Sequence, residues 1–245
     1  MIWIRAAIAL LSLAVIPAKS IPDGTVIPIM VGTSLNSDED APGKAIDGRV
    51  MQDVPVPGGK IDKQSRVTGH VVSVFKQGAS GPGMVVKFDT LQDEGHVVPM
   101  TTGLLAVASM LSVASAQSPI STNSDVDPMS QWVTRQIGGD IVRRGAGKAF
   151  SREGVTGRWL AETAVIIKLT ANPQAGCPGG DGYDREQAVW IFSSDACGAY
   201  GLKNTKVENS GAQLPLGEIR LTSKENVKIA GGSGWLLIVV GAPKQ

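Results

Sequence analysis

Short β-branched runs, each ended by a cluster of turn-forming residues, recur along almost the whole chain, and this beat constrains the fold more than any other feature. Thr25 to Val31, Ala45 to Val54, Arg66 to Phe75, Met84 to Leu91 and His96 to Thr101 have the length and composition of strands. Between them stand Asn36-Ser37-Asp38, Pro57-Gly58-Gly59 and the stretch Gly78 to Gly83, whose residues accept turn dihedrals without strain. Val86 and Phe88 alternate with Lys87 and Asp89, the period of a strand with one wet face. The 30 Gly and 14 Pro supply turns for many short strands, while the Val and Ile content excludes a disordered tail. A mainly β protein follows, with a barrel-like or sandwich N-terminal half over residues 21–102.

The pattern changes at Gly103 to Ala116. There Leu104, Val107, Ala108 and Leu111 fall on one helical stripe, which predicts one short buried helix. The polar, Pro-containing stretch from Gln117 to Ser130 is the natural boundary, so residues 103–130 read as helix and linker. A second β-rich unit is expected over 131–245, with strands at Ile137 to Val142, Ala164 to Leu169, Ala188 to Phe192, Gly217 to Thr222, Val227 to Ile229 and Trp235 to Val240. The last is apolar at every position, as a central strand covered on both faces would be. No fixed-period repeat is present, which argues against a propeller or solenoid.

The first twenty residues read as an export signal. Arg5 gives a positive start, Ala6 to Ile16 are apolar, and Ala18-Lys19-Ser20 offers small residues for a signal peptidase. Cleavage after Ser20 places the mature start at Ile21 and the protein in the periplasm or outside the cell. The apolar run is far shorter than the ~20 residues that span a bilayer, so no transmembrane segment is expected after cleavage. No Cys follows the run, which argues against a lipoprotein. Removing Arg5 and Lys19 turns the formal charge of +1 into −1, which is no footprint for nucleic acid.

Export also sets how the cysteines are read. In an oxidising compartment the simplest arrangement of Cys177 and Cys197 is one disulfide in the C-terminal half, closing a loop of about twenty residues for roughly 3 kcal/mol. Two unpaired buried thiols are the alternative. Neither Cys lies near a His in sequence, so neither a thiol nucleophile nor a metal site is indicated.

Residues able to carry chemistry are sparse. His70 shares a strand face with Thr68, Val72 and Val74, the setting of a structural, hydrogen-bonded imidazole, and His96 also lies in a strand-like run. No serine occupies a Gly-x-Ser-x-Gly elbow. Asp38, Glu39 and Asp40, then Asp93 and Glu94, then Asp181, Asp184 and Glu186 are carboxylates in turns; a pair of such groups could serve glycoside hydrolysis but usually solvates a loop. The last group lacks the spacing of a calcium loop. Arg143-Arg144-Gly145-Ala146-Gly147-Lys148 misses the first Gly and the Ser/Thr of a phosphate loop. What survives is a basic patch of Arg143, Arg144, Lys148, Arg152 and Arg158, able to meet an anionic polymer or headgroup or simply to solvate a loop. No cofactor and no metal are expected.

One stretch carries a family likeness. Ile21-Pro22-Asp23-Gly24-Thr25-Val26-Ile27-Pro28, Leu35-Asn36-Ser37-Asp38, Gly48-Arg49-Val50, Asp53-Val54 and Ser65-Arg66-Val67-Thr68-Gly69 form a series that resembles the start of the C-terminal β-barrel domain of the TrbI and VirB10 scaffold proteins of conjugation and type IV secretion. The likeness covers about the first third of the mature chain and rests on strand and turn chemistry. The same opening, with the segment Val189 to Gly198, also looks like that of a group of exported bacterial proteins. The resemblance implies a barrel and an envelope location. The expected function is that of an exported envelope structural or interaction protein without catalytic activity, its partner an envelope polymer or protein. Two alternatives stand beside it: a glycan-acting enzyme using turn carboxylates, and a component of a secretion or conjugation apparatus.

Overall fold

A computed structural model of the chain describes residues 21–77, 81–118, 133–139, 141–161, 164–170, 184–211 and 214–241. In chain order the first strands are β1 (Val26–Val31), β2 (Leu35–Asn36), β3 (Ala45–Val50), β4 (Val54–Val56), β5 (Gly59–Ile61), β6 (Arg66–Phe75), β7 (Gly83–Asp93), β8 (His96–Pro99) and β9 (Thr102–Ala108). The helix α1 (Met110–Gln117) follows. After it come β10 (Val133–Arg135), β11 (Ile141–Gly145), β12 (Lys148–Ser151), β13 (Gly154–Trp159), β14 (Val165–Lys168) and β15 (Glu186–Ala188). The chain closes with β16 (Gly198–Tyr200), β17 (Lys206–Gly211), β18 (Leu214–Thr222), β19 (Lys228–Ile229) and β20 (Ser233–Val239).

Ten strands form one sheet in the order β16-β9-β20-β1-β3-β6-β7-β18-β17, with β8 also on β7. It curls into a nearly closed barrel. The last strand of the sheet reaches the strand next to its other end through a side chain: the Asn209 amide of β17 accepts from the Leu104 N–H of β9 at 2.6 Å and donates to the Leu104 carbonyl at 2.9 Å. A carboxamide carries the same donor and acceptor as a peptide group, so Asn209 stands in for one rung of a ladder. Inside the barrel, Ile27, Ile29, Val67, Leu91, Leu104 and Leu237 pack around Phe88 and Trp235. Those two rings meet edge to face, centroids 5.5 Å apart and planes at 71°. Trp235 places its indole N–H on Ser233 Oγ at 2.8 Å, so its burial strands no donor.

A second sheet is a meander of six strands in the order β10-β11-β12-β13-β14-β15. It shares with the outer wall of the barrel a second core, in which Val142, Val165 and Ile167 lie with Val26, Leu236, Ile238 and Phe192. Strand β20 therefore serves both cores: Trp235 and Leu237 belong to the barrel interior, Leu236 and Ile238 to the second core. Each fully buried aliphatic side chain here contributes on the order of 1.5–3 kcal/mol, which is why an apolar residue at every position suits this strand. Two buried glutamines link the layers. Gln52 donates to the Val165 carbonyl at 2.9 Å and accepts from the Trp190 N–H at 2.7 Å, and Gln187 accepts from the Val26 N–H at 3.0 Å.

The mainly β fold and its barrel-like sheet agree with the sequence reading, and three local expectations need correction. Gly103 to Ala108 belong to a strand, β9, buried at every position; two-sided burial makes such a run apolar throughout, and the apparent helical stripe is a by-product. The helix begins at Met110 with Ser109 as its N-cap, and Val113 is its one buried residue. The expected division between residues 21–102 and 131–245 does not follow the sheets, because β16, β17, β18 and β20 join the barrel sheet and only residues 133–188 supply the meander. The segment expected as one strand from Ile137 to Val142 is interrupted by Gly138 and Gly139, at φ 107° and 111°. Residues 1–20, most of the expected linker and Cys177 lie outside the described residues.

Candidate functional site

The basic patch sits on the meander. Paired residues on neighbouring strands share a face, and so do alternate residues along one strand. In that register Arg135 pairs with Ile141, Arg143 with Phe150, Phe150 with Val155, and Lys148 with Arg158. Arg135, Arg143, Lys148 and Arg158 are thereby brought to one exposed face, with the exposed apolar side chains Ile141 and Val155 among them. Arg152 is exposed at the turn between β12 and β13. Arg144 pairs in register with Ala149. Arg158 is partly neutralised by Glu186, whose carboxylate accepts from its Nε at 2.7 Å. The run that resembles a phosphate loop is a two-residue hairpin turn: Gly145 pairs with Lys148, and Ala146 and Gly147 lie at φ 46° and 80°.

Beside this face, a cleft of about 510 Å³ opens between α1, the end of β10 and the end of β16. Its lining includes Ser109, Ser112, Ser115, Arg135, Gln136 and Tyr200. The helix start is fixed tightly. Ser109 donates its N–H to the Tyr200 carbonyl at 2.9 Å, and its Oγ accepts from the Ser112 N–H at 3.2 Å. The N–H groups of Met110 and Leu111 have no acceptor within the helix, and the first turn carries no acidic residue, so the positive end of α1 is uncompensated at the cleft. Gln136 is only 3% exposed, and among the described residues neither its Nε2 nor its Oε1 has a hydrogen-bond partner. Leaving such a group unmade costs on the order of 1–3 kcal/mol.

Several of the other candidates are held in structural contacts. His70 Nδ1 lies 2.7 Å from Asp89 Oδ2, with Lys87 Nζ 3.6 Å from the same carboxylate, a half-exposed cross-strand brace between β6 and β7. His96 is exposed. Asp40 accepts from the Asn36 N–H at 2.8 Å and from Lys44 Nζ at 2.6 Å, while Asp38 accepts from Asn226. Asp93 accepts from the Asp62 N–H and the Ser65 hydroxyl, and Glu94 is a residue of the tight turn joining β7 to β8. Lys60 donates to Asp53 at 2.7 Å; that bond, with the Lys63 N–H, holds the Asp53 carboxyl below the usual carboxylate range. Asp184 is exposed, Glu186 is engaged by Arg158, and Asp181 lies outside the described residues. Among the described residues no group of three His, Cys, Asp or Glu side chains could hold a metal ion, and no helix is long and apolar enough to cross a membrane.

Neither a protein-family model nor a curated protein sequence matches the chain. Sequence reasoning found the basic patch but missed Arg135 and Gln136. Arg135 joins the patch only through the register of β10 on β11, and Gln136 stands out only by its lack of partners.

Proposed function

We propose that the chain is an exported, non-catalytic interaction module whose meander docks an anionic envelope polymer. The observation that carries this reading is the shared exposed face of Arg135, Arg143 and Lys148, set among exposed Ile141 and Val155. Mixed cations and apolar side chains suit an acidic polysaccharide: the charges steer and hold its carboxylates, and the apolar groups gain from covering the C–H faces of its sugar rings. The turn carboxylates Asp38, Asp40 and Asp93 are bound to backbone and side-chain donors, which supports placing function on the cations. The reading includes cleavage after Ser20 and a bridge between Cys177 and Cys197, checked by N-terminal sequencing and non-reducing peptide mapping.

The test is retention of the purified protein on an immobilised polyuronate over a salt series. Retention should fall steadily with salt, and replacing Arg143, Lys148 and Arg152 together by Ser should abolish it near physiological ionic strength, with the melting temperature little changed. A triple variant that elutes with the parent would remove the basis of the proposal.

A further inference from the structure

We infer that the cleft between α1, β10 and β16 binds a small carboxylate that carries a neighbouring amide, the chemistry of a peptide carboxyl terminus. This inference shares Arg135 with polymer docking but rests otherwise on Gln136 and the start of α1, which that reading does not use. The first observation is Gln136. Its carboxamide is buried and unpartnered in both its donor and its acceptor, whereas the equally buried Gln52 uses both atoms and Gln187 uses its oxygen. Buried polar groups in native proteins are almost always satisfied, so an orphaned amide on a residue beside a cleft points to a partner beyond the described residues. The partner that satisfies a carboxamide at both atoms is another amide, which offers one donor and one acceptor.

The second observation is charge. Arg135 lines the same cleft, and the uncompensated N-terminus of α1 faces it with Ser109, Leu111 and Ser112 among the lining. A guanidinium fork and a helix N-terminus both favour an anion, and a carboxylate matches the fork with two parallel hydrogen bonds. The volume of about 510 Å³ falls within the range of small-molecule sites. Gln136 is a lining residue whose amide is closed to water, so a ligand meets it after a turn about the side-chain torsions, while the exposed Arg135 holds the carboxylate.

The experiment titrates the full chain with N-acetyl-dialanine and, separately, with its carboxy-terminal amide, following backbone and side-chain amide resonances by NMR. The free acid should shift the Gln136 side-chain signals saturably, and the amide should bind at least about tenfold more weakly. Arg135→Ala should weaken the acid about tenfold, and Gln136→Met should do the same while raising the melting temperature, because it removes an unmet amide. The Ser variants of Arg143 and Lys148 should leave acid binding unchanged, which separates failure here from failure of polymer docking. Equal binding of acid and amide, no saturable shift, or a Gln136→Met variant that binds like the parent would each overturn the assignment.

Discussion

Gln52 and Gln136 are the same residue type at nearly the same depth, 1% and 3% exposed, and they sit in opposite conditions. Gln52 lies in the seam between barrel and meander and is satisfied from both sides, one atom by β14 and the other by Trp190, whose φ of 48° is left-handed. Gln136 lies at the margin of the same meander, beside the helix, and is satisfied from neither. A paired buried amide strengthens the fold and fixes how two layers register. An unpaired one weakens the fold, and its presence is informed by something other than folding.

The comparison can be broken by substitution. The largest effect is expected outside both glutamine sites, where Trp235→Ala removes the side chain that fills the barrel against Phe88. The loss should be about 3–5 kcal/mol in urea unfolding, and a loss below about 1 kcal/mol would mean that the barrel interior is not the main core. Next, Gln52→Met leaves the Val165 carbonyl and the Trp190 N–H both unmet, for about 2–4 kcal/mol; a neutral result would show that the seam does not need its polar link. Asn209→Leu should cost about 1–2 kcal/mol and speed amide hydrogen exchange at Leu104, since the barrel's closing rung is lost.

How much of this was legible in the sequence depends on the range of the cause. Alternation along β7 and the unbroken apolar run of β20 are local patterns, and they gave strands of the right kind. The stripe at Leu104 to Leu111 misled because a strand buried on both faces carries no period of its own, so chance spacing looked helical. The pairing of Val26 with Ile238, which draws the chain's last strands into the first sheet, depends on contacts across most of the sequence and leaves no local mark. The patch residues Arg143, Lys148 and Arg158 were legible as charges; that they share a face with Arg135 follows from hairpin register alone. Gln136 was invisible for the plainest reason: in sequence, a satisfied amide and an orphaned one are the same letter.

Paired and unpaired buried glutamines should have opposite energetic signs, and parallel unfolding of Gln52→Met and Gln136→Met is the sharpest check. Stability should fall by about 2–4 kcal/mol for the first and rise by less, about 0.5–1 kcal/mol, for the second. Destabilisation of both variants would contradict it, because Gln136 would then be serving the fold and its cleft would lose the feature that marks it as a site.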